Sequence, residues 1–383
     1  MPCARAARRR GAVRSLAAAM LALTTVCAPA NSQATDRVAT RAPASPSGAR
    51  PSPTLTYESF NTTRLVLATT DIPGLDTRTL TAGDLALDQV AHLLYLTDRG
   101  GNAIHIFDIA TPTARYAAAI PLPGPPGNLV IASDLRKLFV ALAAGRIAVI
   151  DIDAASPRVR TVTSTISLVL PGLTVPGEVS AIEYAAPEHK VFFATSGGAV
   201  GSMDAVRERK NEMWTEIPDR RVGGLRYHPG DGYLYLTTER TMYRFDPRSG
   251  SAIASFTTFA GCAGIGIDGP RNQALVSCGA TPDTAHIARW DFQSAKVVAI
   301  YDQIADADVI IFDATADRFF ISAPRYARGP AIGMYGGPRG LFVTDVPTTP
   351  VSRAVAYDEA NRVVYTQGPR GLLSFPSPPD RTP

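Results

Sequence analysis

A chain of 383 residues, 45% hydrophobic and 19% charged, can bury one large core or two domains, and four cysteines are too few for a disulfide-built fold. The formal net charge of +4 belongs to the first 34 residues, which hold Arg5, Arg8, Arg9, Arg10 and Arg14 and no acid. Without those five the 38 cations become 33 against 34 acids, a net charge of −1, which excludes nucleic-acid binding through a general basic field.

The arginines precede an apolar run, "SLAAAMLALTTVCA", and small-residue sites "APA" and "SQA". That order predicts a secretory signal peptide over 1–34, cleaved after Ala30 or Ala34, and an exported protein, periplasmic or extracellular. The run falls short of the ~20 residues that span a bilayer, and no later stretch is long enough, so no transmembrane segment is expected. The residues after Arg9-Arg10 fit a twin-arginine signal poorly, and Cys27 lacks the small residue expected before a lipidated cysteine. Residues 35–58, with "TDRVATRAPASPSGARPSPTLT", are poor in large apolar side chains and predict a flexible linker. An Asn-x-Thr sequon follows at Asn61 and matters only in a host that glycosylates.

From Leu85 onward the chain repeats itself. Units begin at Leu85, Asn128, Ser180, Gly223, Cys262, Ala307 and Arg353. Each has a first strand ending in an Asp/Gly/Asn turn, then an aromatic and β-branched second strand ("LLYLT", "KLFVA", "VFFAT", "YLYLT", "RFFIS", "VVYTQ"). A third strand ends near an aspartate and a fourth is amphipathic. Strand signals every eight to twelve residues, with no long helical period, predict an all-β fold, a seven-bladed β-propeller of four-stranded antiparallel blades over 59–378. The seventh unit stops after three strands, so the run Thr63–Gly74 is expected to supply its fourth and close the ring. Blade six reads two ways. "RYARGPAIGMYGGPRGLFVTDVPTT" holds strands three and four, or "GLFVTD" is strand three after an insertion.

Cys3 and Cys27 leave with the leader. Cys262 and Cys278 each lie eight residues from Pro270 in a hairpin turn, which predicts that they face each other on adjacent strands and form a disulfide. Two lone cysteines do not make a metal site, and no metal or cofactor is predicted.

"LLYLTDRGGNAIHIFDIAT" resembles the YVTN repeat, closely in blade one and well in blade two ("LFVALAAGRIAVIDIDAA"). The resemblance implies a secreted or periplasmic, surface-layer-like propeller. Related propellers include lactonases and quinoprotein amine dehydrogenase large subunits, so it also implies a hydrolase or a dehydrogenase subunit as alternatives to a binding module. The fold alone does not choose.

Asp108, Asp151, Asp204, Asp246 and Asp291 recur at one place in successive units, with Asp345 a candidate sixth. A series around a ring implies local turn-fixing, because Asp accepts hydrogen bonds from backbone N–H groups two residues on. His92, His189 and His228 fall at first-to-second-strand turns and His105 and His286 in third strands. None stands at ligand spacing, and no HExxH or GxSxG occurs. The second-to-third-strand loops, which share one face with the inter-blade loops, carry the candidate binding residues Asp98, Arg99, Asn102, Arg240, Arg325, Arg328 and Arg370. Glu239, Asp283, Tyr326 and Gln367 accompany them, and Arg220 and Arg221 stand in an inter-blade loop. Arginines there suit carboxylates and phosphates. The expectation is a monomeric, non-catalytic binding or scaffold module whose partner, at one mouth of the channel, is a protein, a cell-wall polymer or a small anionic ligand. A metal-dependent lactonase would instead draw on Asp98, Asn102, Glu239 and Asp283.

Overall fold

In this computed structural model the described residues are 67–75, 80–81, 83–168, 177–218, 221–257, 262–279, 286–304 and 306–378, except the side chains of 210–216. The expected signal peptide, the linker and Asn61 lie outside them.

A single strand, β1 (Ala68–Asp71), comes first. Blade one is β2 (Leu85–Asp88), β3 (Leu93–Asp98), β4 (Ala103–Asp108) and β5 (Arg115–Pro121). Blade two is β6 (Pro126–Ala132), β7 (Lys137–Leu142), β8 (Arg146–Asp151) and β9 (Thr161–Ser167). Blade three is β10 (Val179–Ala185), β11 (Lys190–Thr195), β12 (Ala199–Asp204) and β13 (Arg209–Glu216). Blade four is β14 (Val222–His228), β15 (Tyr233–Thr238), β16 (Thr241–Phe245) and β17 (Ala252–Thr257). Blade five is β18 (Ile265–Asp268), β19 (Gln273–Cys278), β20 (His286–Asp291) and β21 (Lys296–Tyr301). Blade six is β22 (Val309–Asp313), β23 (Arg318–Ala323), β24 (Ala331–Gly336) and β25 (Leu341–Pro347). Blade seven is β26 (Val355–Asp358), β27 (Val363–Gln367) and β28 (Gly371–Pro376), and β1 is its fourth strand. The protein is a seven-bladed β-propeller of four-stranded antiparallel sheets.

The first hairpin of every blade turns in the same way. The residue just before the second strand is left-handed in all seven: His92, Arg136, His189, Gly232, Asn272, Asp317 and Arg362, with φ from 47° to 76°. A turn closed by a left-handed residue suits a three- to five-residue hairpin. In four blades an aspartate ending the first strand holds this turn. Asp88 accepts the N–H groups of Val90 and Ala91, Asp268 that of Arg271, Asp313 that of Ala316, and Asp358 those of Ala360 and Asn361.

Second strands are buried nearly throughout, whereas fourth strands such as β5, β17 and β21 alternate between exposed and half-buried residues. The core is therefore not inside a blade. It consists of seven clusters, one for each seam. Leu138 and Val140 of blade two pack on Ile104 and Ile106 of blade one, and Phe193 and Met203 of blade three on Phe139 and Val149 of blade two. The seam between blades seven and one joins Tyr365 and Leu372 to Leu94, Leu96 and Phe107. Each large buried side chain contributes about 1.5–3 kcal/mol.

Polar links cross the seams near the channel end of the second strands. Thr237 Oγ1 donates to Ala263 O at 2.5 Å, and Ala307 N–H donates to Ser277 Oγ at 3.0 Å. Ser322 Oγ donates to Ser352 O. Gln367 accepts the Gly83 N–H and donates to Thr81 O, both at 2.7 Å, so this link joins the last blade to the first.

The N-terminal strand closes the ring as expected: β1 pairs with β28, Ala68 opposite Ser374 and Asp71 opposite Gly371. A Cβ at Gly371 would lie 2.1 Å from Thr70 O, so only glycine admits the closing strand. In blade six the first of the two readings holds, with "AIGMYG" as strand three and "LFVTDVP" as strand four. Cys262 and Cys278 form the disulfide. Nearer the turn Ile265 faces Val276 and Gly266 faces Leu275. The hairpin is centred between Pro270 and Arg271, one half-step later than Pro270 alone. Beyond that pairing Ser277 accepts the Ala263 N–H and donates its own N–H to Gly264 O, so the first strand gains one residue and Cys262 comes opposite Cys278, as expected, with Cα atoms 3.9 Å apart.

Deleting residues 60–72 will leave β28 as an unpaired edge and open the seam between blades seven and one. We expect the melting temperature to fall by on the order of 10 °C in a thermal scan. Reducing the Cys262–Cys278 bond, which spans 16 residues, should cost about 2–3 kcal/mol in urea unfolding; a Cys278→Ser chain should match the reduced protein.

Candidate functional site

The recurring aspartates do local work. Asp108, Asp151, Asp204, Asp246 and Asp291 each accept the N–H two residues on, from Ala110, Asp153, Val206, Arg248 and Gln293, at 2.7–3.0 Å. Asp345 does not belong to this series, because blade six ends its third strand at Gly336 and Asp345 lies on the fourth. The histidines are local too. Buried His228 accepts the Gly230 N–H of its own turn at Nδ1 (3.0 Å) and meets Asn272 Oδ1 of the next blade's turn through Nε2 (2.9 Å).

The loops between second and third strands and those between blades ring one mouth of the channel, as expected. Asp98 is fully buried, not open to that mouth. Its Oδ1 accepts the Gly101 N–H at 3.0 Å and its Oδ2 faces His105 Nε2 at 3.2 Å. Asn102 is exposed, with φ 49°, and serves its loop through its carbonyl, which accepts the Leu122 N–H. Gln367 is the buried link between blades seven and one. Most of the arginines are engaged. Arg99 pairs with Glu178 at 2.6 Å, Arg221 with Glu239 at 3.7 Å and Arg370 with Asp71 at 2.9 Å. Arg325 bonds both Asp306 and Asp308, at 2.8–2.9 Å. Arg240 is exposed, and so is Arg328, whose guanidinium lies 5.9 Å from the Tyr326 ring centre. The mouth is thus a circuit of fixed ion pairs of both signs rather than a cationic collar. Asp283 and Arg220 lie outside the described residues.

Below the mouth lies a cavity of about 490 Å³ walled by the first strands. Sequence reading passed over its polar residues. Asp84 Oδ1 accepts its neighbour's N–H, from Leu85, at 2.9 Å, and Oδ2 accepts the Leu129 N–H of blade two at 3.1 Å. The Asn128 amide stands beside the Asp84 carboxylate and favours its ionised form. Glu183 accepts the Tyr227 N–H of blade four and receives Arg226 Nη1, both at 3.3 Å. Arg226 Nη1 also donates to Leu225 O at 2.9 Å. Burial pushes the carboxyls of Asp84, Glu183 and Asp308 above their ordinary value, against the pull of nearby N–H groups and guanidiniums. The field of Arg226 reaches Asp84 as well as Glu183. Among the described residues no group of three or more His, Cys, Asp or Glu gathers as a metal cage.

No family model and no curated protein matches the chain. Solved structures do. A chain of the crystal structure of the mitotic checkpoint complex is 16% identical, covers 90% of this chain and all of its own, and superposes with a TM-score of 0.65. A chain of Kuenenia stuttgartiensis hydrazine synthase is 15% identical, covers 80% of this chain and 99% of its own, and has a TM-score of 0.62. Identities this low show the propeller fold alone, and the likeness to YVTN repeats rests on the motifs of blades one and two.

The turn aspartates have a pH signature. The Arg248 N–H is the main cause that lowers Asp246. In Asp204 partial burial pulls upward, but the N–H and guanidinium of Arg207 outweigh it and the net shift is down. A depressed carboxyl stabilises above its unfolded value and loses that contribution as pH falls through the folded one. Asp246→Ala should therefore cost about 0.5–1 kcal/mol near neutral pH, the low end because the site is solvated. The gap from the parent should close in acid, as urea unfolding at each pH will read.

Proposed function

We propose that this protein is an exported, non-catalytic binding or scaffold module that engages a partner protein or cell-wall polymer at the channel mouth. The observation that carries this reading is the circuit of ion pairs there: Arg99–Glu178, Arg221–Glu239, Arg325–Asp306/Asp308 and Arg370–Asp71. Charges held by neighbours cost little further ordering when a partner arrives, and a mixed-sign rim selects a complementary surface and guides its approach. It favours a partner with charges of both signs over a simple polyanion. The exposed guanidiniums of Arg240 and Arg328 are the groups placed to reach outward, and Arg pairs well with carboxylates. The disulfide of blade five fits an oxidising compartment, in line with the leader-like N-terminus. The fold also serves in the multi-protein assembly of which one of its structural neighbours is part.

A pull-down with the purified chain from residue 35, against an envelope extract of its host, tests this reading. The parent should retain a partner. Arg240→Glu/Arg328→Glu should lose it, while Arg248→Ala on the opposite face should keep it. Retention that is indifferent to the rim charges would sink the proposal.

A further inference from the structure

Two levels of the channel wall can be compared around the ring. Strand register makes Asp84, Asn128, Ala181, Gly224, Gly264, Val309 and Ala354 equivalent, and two residues deeper Ala86, Val130, Glu183, Arg226, Gly266, Ile311 and Ala356. The turn aspartates repeat from blade to blade, but these residues do not. Four polar groups, each unlike its counterparts in the other blades, stand side by side on blades one to four. They line a single cavity. A structural device needed at every seam would recur; a set of different groups around one space has the form of a ligand site.

The seams offer a second argument. Asp84 links blade one to blade two through the Leu129 N–H, and Glu183 links blade three to blade four through the Tyr227 N–H. Four other seams achieve a similar link with a hydroxyl or an amide, from Thr237, Ser277, Ser322 and Gln367. A neutral group suffices for the link, and a carboxylate in an enclosed space costs more to desolvate. The carboxylates at these two seams are therefore more than fasteners.

We propose that the channel binds a small zwitterion of amino-acid size, its ammonium on Asp84 and Asn128 and its carboxylate on Arg226. This names the ligand of the channel and rests on the binding-module reading above. The Asp84 carboxylate is already oriented by two backbone N–H groups and keeps lone pairs for an ammonium. Arg226 spends Nη1 on Glu183 and Leu225 O, which fixes the guanidinium and leaves Nη2 and Nε for an incoming carboxylate. Val130, Ile131 and Ile311 supply apolar wall for a side chain. A cavity of about 490 Å³ lies in the range that small ligands occupy. A ligand with one charge would leave either the Asp84 carboxylate or the Nη2 and Nε hydrogens of Arg226 without a partner. That is why discrimination should be sharp.

Calorimetry on the purified chain from residue 35 tests the proposal. The probes are the individual L-amino acids, with n-butylamine and butyrate as single-charge analogues. At least one amino acid should bind in the millimolar range or tighter, and at least about tenfold more tightly than either analogue. Asp84→Asn and Arg226→Gln should each weaken binding tenfold or more with the near-ultraviolet circular dichroism of the parent retained, while Arg240→Glu/Arg328→Glu should leave it unchanged. Absence of binding by every amino acid to the parent protein overturns the proposal even if the channel variants fail to fold. Equal binding of an analogue, or unchanged affinity in the two channel variants, overturns it too. The rim pull-down uses other residues and another readout, so loss of the partner with amino-acid binding intact, or the reverse, tells which of the two readings has failed.

Discussion

A blade of four strands has two apolar faces, and in this protein only another blade can cover them. Every core cluster lies across a seam, so no blade carries a complete core. Stability is then a property of the closed ring. An open array would expose two such faces and a free strand edge. The chain resolves this by making the last sheet from both of its ends, with β1 on β28 and Ile72, Leu75 and Leu80 packed into the same cluster as Tyr365 and Leu372. Gln367 adds a polar link at the same seam, at the position where blades four to six place Thr237, Ser277 and Ser322. A longer amide there reaches both Gly83 and Thr81, on the segment that follows the closing strand.

The architecture was legible because it is written seven times. Aromatic second strands, turns with a left-handed residue and aspartates at third-strand ends each recur, and recurrence is a stronger signal than any one propensity. The closing strand was legible from a deficit, since the last unit lacked a partner. What failed did so where a single residue decides. The hairpin of blade five is centred half a residue from Pro270, too small an offset for a turn signal to resolve, and an extra residue at Ala263 and Gly264 restores the opposition of Cys262 and Cys278. Asp345 sits on strand four because the turn through Gly337 and Gly340, both at positive φ, comes before "LFVTD" rather than after it.

The site was harder to read for a physical reason. Loop residues announce themselves by polarity, which points to the mouth. There Asp98 turned inward to His105 and Gln367 became a seam link, while most of the arginines found carboxylates contributed by distant parts of the chain. Arg99 and Glu178 are 79 residues apart, and no local pattern predicts that they meet. The channel residues sit within first strands, where a lone Asp84 or Glu183 in an apolar context looks like the solvated face of an ordinary strand. Only the register around the ring shows that these positions look into one space.

The ring also divides its polar work unevenly. From blade four round to blade one, the seams are fastened by neutral side chains on second strands. Blades two and three carry Ala141 and Ala194 at that place. The seams from one to two and from three to four are fastened instead by carboxylates on first strands, facing the cavity. An ionised carboxylate in an enclosed space is stabilised by whatever positive charge it can reach, and burial holds Asp84 and Glu183 above their ordinary values. Arg226 serves Glu183 directly and Asp84 only through its field. One wall of the channel therefore presents a carboxylate with no directly bonded cation, and the other a guanidinium with Nη2 and Nε still to give. The wall left wanting a cation is the one whose carboxylate is best oriented, and a ligand carrying both charges would meet that carboxylate and the remaining N–H groups of the guanidinium together.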